Sequence, residues 1–333
     1  MRAGIAVGGS ILLDKINEIC AYPESGELTK IKSVKLAPGG CVPNVGCDIK
    51  RMRPSIEVKA LGKIGDDENG KHLINYLKAD GLNTDGIIVS DTDKTSFTEV
   101  MSVSGGQRTF FTYPGTSADF GYSDINFDQI NAKILHLAYF LLLDKIDAGD
   151  GLLILKEAKR RGILTSIDLV SENSDRYKLV LPCLEYVDYL IINENEASKL
   201  TGIPATDENM KKIAEALMNF GVKEKVIIHM PSYACALSSE GFTVVPSYDI
   251  KKDEIVGTTG AGDAFCAGAL LGIYDEIPDR NILEFASAAA AISLTSADAT
   301  SGIITEDEIK QKYQNKARKN FTFNLQSKKR RIL

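Results

Sequence analysis

The sequence predicts an α/β fold: a mainly parallel central sheet covered by helices, with a small separate β layer. Short apolar runs alternate with amphipathic segments along most of the chain, the pattern of strands and helices in a doubly covered sheet. Two segments near the C-terminal end are apolar around nearly the whole circumference of a helix, as buried helices are. Two further stretches alternate or turn back on themselves, and they do not belong in a parallel sheet.

Taken in order, Ile5–Gly8 is the first strand, because Met1-Arg2-Ala3-Gly4 leads straight into an apolar run rather than into a signal peptide. Val58–Leu61, Ile134–Leu137, Leu164–Asp168, Tyr189–Ile192 and Val226–His229 are runs of the kind found in buried parallel strands. Between them lie the amphipathic segments Asn69–Ala79, Gly151–Arg161 and Asp207–Phe220. Ala264–Tyr274 and Asn281–Ser296 are the all-round apolar helices, expected at the centre of the fold. Leu28–Leu36 alternates, and Thr95–Tyr113 reads as a hairpin with arms Ser96–Val103 and Arg108–Tyr113 turning at Ser104-Gly105-Gly106-Gln107. With no repeat, linker or low-complexity segment, one continuous domain is expected over residues 1–320. The β layer is then an insertion built from about 11–37 and 95–113, and residues 321–333 form a basic C-terminal tail ending in Lys328-Lys329-Arg330-Arg331.

At 333 residues, 44% hydrophobic and 25% charged, the chain has the composition of a soluble globular protein with a sizeable core. No apolar run reaches membrane-spanning length, so no membrane partner is expected. The net charge of −6 argues against nucleic acid as a main partner. Six cysteines without a Cys-x-x-Cys pair suggest reduced thiols in a cytoplasmic protein and neither a zinc nor a redox motif. His72, His136 and His229 are too dispersed to argue for a zinc or histidine-based active site.

The stretch richest in chemistry is Val256-Gly257-Thr258-Thr259-Gly260-Ala261-Gly262-Asp263-Ala264-Phe265. Glycines let backbone N–H groups crowd around a ligand, and a following helix N-terminus adds partial positive charge, so the run suits an anion such as phosphate. An aspartate there repels phosphate; it makes sense as a base that takes a proton from a nucleophile lying beside the phosphate. The alternative reading makes Asp263 an ordinary helix N-cap. Asn193-Glu194-Asn195-Glu196 follows a strand and opens a short helix, which places amide and carboxylate oxygens to hold magnesium, directly or through water. Simple capping by Asn193 is the alternative. Pro38-Gly39-Gly40-Cys41-Val42-Pro43-Asn44 combines glycines that admit a ligand close to the backbone with an amide that both donates and accepts; a plain turn is its alternative. Gly65 to Lys71 has the spacing of a P-loop, but His72 stands where Ser or Thr is required and Asp66-Asp67-Glu68 would repel phosphates, so that reading is rejected.

Thr258 to Phe265 resembles the C-terminal signature of the ribokinase (pfkB) family of sugar and nucleoside kinases, roughly Asp-Thr-Thr-Gly-Ala-Gly-Asp-Ala-Phe, with Gly257 where the family has its leading Asp. The resemblance implies a ribokinase-like three-layer fold whose small β-sheet is a lid over the sugar and often a homodimer interface. It implies Asp263 as the catalytic base, and the amides of Gly260, Ala261 and Gly262 as an anion hole. ATP would be bound through Asn193, Thr259, Gly260, Gly262 and Ser287, and Mg2+ through Asn193 and Glu196, in the family's Asn-x-x-Glu motif. Gly39, Gly40 and Asn44 match its Gly-Gly-x-x-x-Asn sugar motif, and Asp14 matches its hydroxyl-binding aspartate, for which a cap is the plain alternative. Gly62 to Gly70 matches a further signature read as structural. Arg108, at the end of the hairpin turn, could reach the substrate from the lid. Two departures stand out. Gly257 lacks the carboxylate that helps shape a monovalent-cation site, and His229-Met230-Pro231-Ser232-Tyr233-Ala234 replaces the Gly-x-x-Gly turn that borders the nucleotide. The implied activity is ATP-dependent phosphorylation of a hydroxyl, a primary one, of a small-molecule sugar. The alternatives are a nucleoside kinase, with Phe97, Phe110, Phe111 and Tyr113 as a stacking surface, and a catalytically weak sugar-binding regulatory relative.

Overall fold

The computed structural model describes residues 2–103 and 108–321, the side chain of Arg108 excepted; the expected turn at 104–107 and the basic run Lys328–Arg331 lie outside the described residues. The strands are β1 (Ile5–Gly8), β2 (Leu12–Ile19), β3 (Ile31–Gly39), β4 (Val58–Gly65), β5 (Asn83–Ser90), β6 (Ser96–Val103), β7 (Arg108–Tyr113), β8 (Ile134–Phe140), β9 (Leu164–Leu169), β10 (Tyr189–Asn193), β11 (Lys225–His229), β12 (Tyr233–Ser238) and β13 (Gly241–Pro246). The helices are α1 (Cys41–Met52), α2 (Glu68–Ala79), α3 (Gly115–Ala118), α4 (Gly151–Arg160), α5 (Glu194–Thr201), α6 (Asp207–Asn219), α7 (Ala261–Tyr274), α8 (Asp279–Ser293) and α9 (Glu306–Tyr313). Among the described residues, no helix is long and apolar enough to cross a membrane.

The large sheet has nine strands in the order β13-β12-β11-β10-β9-β8-β1-β4-β5. It is parallel from β11 to β5, and β12 and β13 extend it as an antiparallel edge. Both of its faces are covered, so successive strand residues are buried on opposite sides. Ile5 and Val7 of β1 pack into one cluster with α1, α2, α7 and α8, and Ala6 packs into the other with α4 and α6. This accounts for the continuous apolar runs by which the sequence announces these strands. Strands β8 to β11 step away from β1 on one side, and β4 and β5 on the other. The chain therefore reverses its direction of winding between β1 and β8, where open α/β sheets form ligand crevices at their strand C-termini.

The small sheet has the order β3-β2-β6-β7, with β2 parallel to β6 and the outer pairs antiparallel. Here the sequence reading needs one correction. The third strand begins at Ile31 and runs to Gly39, rather than over Leu28–Leu36, because pairing of Leu12 with Gly39 sets its register. Helix α7 also starts earlier than its apolar run. Its first residue is Ala261, so Ala261, Gly262 and Asp263 together form its first turn.

Candidate active site

The turn into α7 lies against the segment around Ala299. Gly260 is its N-cap with φ 83°, a left-handed backbone, and a Cβ there would lie 2.5 Å from Ala299 Cα. That turn, which includes Thr259, presents the first amides of a buried 14-residue helix, donors that have no partner within a helix. Asp263 is the third residue of α7, not its cap, so the capping alternative falls. Its side chain is 9% exposed and turns inward, where Tyr139 Oη donates to Oδ1 and Oδ2 at 2.8 and 3.0 Å and Asn44 Nδ2 donates to Oδ2 at 3.0 Å. Burial, reinforced by the charge of Asp168, pushes the Asp263 carboxyl up to about 7 against the pull of those two donors.

Tyr139 is held in an unusual conformation to do this. Its φ is 62°, and its amide donates to Asp168 Oδ1 at 2.6 Å. Burial first, and the charge of Asp263 second, hold its phenol well above the usual range, so it stays a donor. Asn44 lies in the first turn of α1, whose N-cap is Gly40 with φ 88°. Gly39 ends β3 so close to β2 that a Cβ on it would sit 2.6 Å from Asp14 Oδ2. Asp14 is in mid-strand, so it caps nothing, and burial raises its carboxyl to about 6. Asp14, Gly39, Gly40, Asn44 and Asp263 therefore form one continuous path from the small sheet to α7. Lys35 of β3 reaches Asp298, next to Ala299, at 2.8 Å and adds a second tie between the small sheet and the turn before α7.

Two cavities meet at Asn193, His229 and Gly262. One, of about 320 Å3, contains Asp263, Glu196, Tyr139 and Asp168. The other, of about 460 Å3, is lined by Ala261, Gly262, Thr258, Asn193 and Ser287 together with apolar residues such as Met230, Ile250 and Leu294. Ser287 Oγ is buried with no hydrogen-bond partner among the described residues, as expected of an atom that serves a ligand. The His229-to-Ala234 segment contributes His229, Met230, Pro231 and Ala234 to this second cavity. Burial lowers the His229 imidazole to about 4, so it is neutral, and it packs on Phe265 with centroids 4.8 Å apart. A larger cavity, about 870 Å3, lies elsewhere; its Arg53, Lys310 and Lys316 are already paired with acids, which leaves it little to offer a ligand.

Asn193 does cap α5. Its Oδ1 accepts from the Asn195 and Glu196 amides at 2.9 and 3.0 Å, and Glu196 Oε2 accepts from the Asn193 amide at 3.0 Å. Both also face the smaller cavity. Glu196 Oε1 already accepts from Ser171 Oγ at 2.7 Å, so a divalent cation near this pair fits best through intervening water. Burial raises the Glu196 carboxyl to about 7. Asp67, in the rejected P-loop spacing, caps α2 through the Gly70 amide and accepts from Thr95. Arg108 opens β7, and its side chain is outside the described set.

Several residues at the site escaped the sequence reading: Tyr139 and His136 on β8, Asp168 on β9, Ser171 just beyond it, and Cys266 on α7. The histidines remain dispersed: His72 is on α2, His136 on β8 contacts Cys266, and His229 on β11 lines the smaller cavity. The available signal was positional, since Tyr139, Asp168, Asn193 and His229 are polar residues at or near the C-terminal ends of parallel strands.

Known proteins resemble this chain in sequence and fold. Residues 5–306 match the model of the pfkB family carbohydrate kinases. The chain is 30% identical over 317 residues to fructokinase-2 of Oryza sativa subsp. japonica, covering 89% of this chain and 90% of that protein. It is 28% identical over 294 residues to ribokinase of Arabidopsis thaliana, covering 86% and 75%. The structure of Arabidopsis thaliana ribokinase with ribose and ATP superposes with a TM-score of 0.80 at 24% identity, covering 93% of this chain and 98% of that one. A fructokinase from Xylella fastidiosa with bound ATP gives 0.77 at 18% identity, covering 94% and 99%. The chain belongs to the pfkB family of carbohydrate kinases, phosphotransferases with an alcohol group as acceptor.

Proposed function

We propose that the protein moves the γ-phosphoryl group of ATP to a hydroxyl, a primary one, of a sugar or sugar-like compound. The observation that carries this is Asp263: a buried carboxylate, poised near neutrality, in the first turn of α7 and on the wall of a cavity that joins a second, more apolar one. A base with that proton affinity can accept a hydroxyl proton at pH 7. The acceptor oxygen then attacks the γ-phosphorus, the bond from phosphorus to the ADP oxygen breaks, and the proton remains on Asp263. Amides of Gly260, Ala261 and Gly262 face the charge that develops on the phosphoryl oxygens. Asp14, Gly39, Gly40 and Asn44 hold the acceptor, with the small sheet as a lid. Asn193, Thr259, Gly260, Gly262 and Ser287 hold the nucleotide, with the adenine in the cavity of about 460 Å3. Mg2+, held through water by Asn193 and Glu196, would neutralise phosphate charge. We read the chain as one α/β domain in which strands from about 11–37 and 95–113 form the lid. The lid excludes water and offers a homodimer surface, and the protein works in the cytoplasm.

The relatives' names make fructose and ribose the first acceptors to test. Transfer from ATP should be measured over a panel of hexoses, pentoses and nucleosides. Phosphorylation of a sugar is expected; a folded preparation that binds a sugar yet transfers phosphate to no acceptor overturns the proposal.

A further inference from the structure

Behind Asp263 lies a cluster in which Asp168, already tied to Tyr139, meets two side chains to which the phosphoryl transfer gives no role. His136 of β8, Asp168 of β9 and Cys266 of α7 are all buried, and one ligand atom from each lies within 4.8 Å of the others. His136 Nε2 is 3.4 Å from Cys266 Sγ and 3.5 Å from Asp168 Oδ2. Zinc bonds of ordinary length in a tetrahedral arrangement put nitrogen about 3.5 Å from sulfur and about 3.4 Å from oxygen. Both distances from His136 therefore match edges of a tetrahedral zinc site, and the third edge, from Cys266 to Asp168, is within 4.8 Å.

Its surroundings fit as well. His136 Nδ1 is 3.0 Å from Ser166 Oγ; when Nδ1–H donates to that oxygen, the Nε2 lone pair points at the sulfur and the carboxylate oxygen. Without a metal, the proton of the Cys266 thiol can occupy that lone pair at 3.4 Å, and it is this proton that an ion would replace. A donated Nδ1–H is also what orients metal-bound histidines. Asp168 Oδ1 is fixed by the Tyr139 amide, which leaves Oδ2 for the ion. Asp168 and Cys266 both line the cavity of about 320 Å3 that holds Asp263, so an ion has a way in.

We infer that His136, Asp168 and Cys266 form a binding site for Zn2+ and chemically similar soft divalent ions. Binding replaces the proton of the Cys266 thiol, which passes to solvent, by a sulfur–metal bond. Affinity should therefore rise about tenfold per pH unit while the thiol remains protonated. Imidazole, thiolate and carboxylate together favour zinc over the magnesium of phosphoryl transfer.

The test uses the full chain with Co2+ or Zn2+ alone, without sugar or nucleotide, so it is independent of the kinase reading. One Co2+ per chain should give a thiolate-to-cobalt charge-transfer band and the visible bands of a tetrahedral ion, and Zn2+ should displace it. Cys266→Ser should abolish the charge-transfer band, while Cys20→Ser, at the exposed thiol, should retain it. Ser166→Ala should weaken binding about 10- to 100-fold by freeing the imidazole. Absence of the band in the wild-type protein, or its persistence in Cys266→Ser, overturns the inference, and neither outcome depends on a variant failing to fold.

Discussion

The large sheet is covered on both faces, whereas β3 of the small sheet is exposed from Ile31 to Leu36 and β7 leaves Phe110 and Phe111 in solvent. The chemistry divides along the same line. Tyr139, Asp168, Asn193 and His229 stand at the ends of strands that packing holds still, while Asp14 and Lys35 come from the thin layer above. Under the proposed function, proton transfer rests on the rigid region and selection of the acceptor on the adjustable one. A chain can therefore change which sugar it takes through the small sheet without disturbing the base.

The sharpest way to break this division is at the base itself. Asp263→Asn should lower kcat by about 10³-fold or more while the protein still binds a sugar, as read by steady-state kinetics beside thermal-shift titration. The wild-type rate should rise as pH rises through about 7, because only the ionised carboxylate accepts a proton. Stability runs the other way. The folded-state values of Asp14, Glu196 and Asp263, about 6, 7 and 7, lie above their unfolded ones, so their contribution is full below about pH 4 and lost as pH rises through 6 to 7. Asp263→Asn should accordingly raise the melting temperature at pH 8 and change it less at pH 4.

Next in size is Gly260→Ala, which forces a side chain into a left-handed backbone and against Ala299; a loss of about 2–3 kcal/mol in denaturant titration is expected. Lys35→Ala tests the tie between the two regions. It should leave stability nearly unchanged and raise the acceptor KM about 2- to 5-fold, the equivalent of up to 1 kcal/mol for an exposed pair. The smallest effect belongs to the outer small sheet. Phe111→Glu should alter unfolding free energy by no more than about 0.5 kcal/mol, and if this face joins two chains, sedimentation should show the variant to be monomeric.

The same division explains what could be read from sequence. Six strands of the large sheet, β1, β4 and β8 to β11, are visible because burial on both faces leaves continuous apolar runs, whereas β5, β12 and β13 at its edges went unread. Helix α7 is visible because burial all round leaves almost no polar position before its end. β3 was misplaced because its residues 31–36 face solvent on both sides, so their alternation carries no information about a core, and its true limits come from pairing with β2. Asp263, Asn44 and Asn193 sit in local runs of glycines, caps and turns that imply their own geometry. Tyr139, Asp168, His136 and Cys266 do not; each is a single polar residue in an apolar segment, and only the strand order brings them together.

Gly257 is set by its neighbours. A Cβ at this position would lie 2.7 Å from the Ser296 carbonyl oxygen and 3.1 Å from Ala297 Cα, so the neighbouring backbone has closed into the space where the family signature carries an aspartate. Restoring that residue alone would push the 296–297 segment away from the turn before α7. Placing an aspartate here therefore calls for a coordinated second change at 296–297 in this chain.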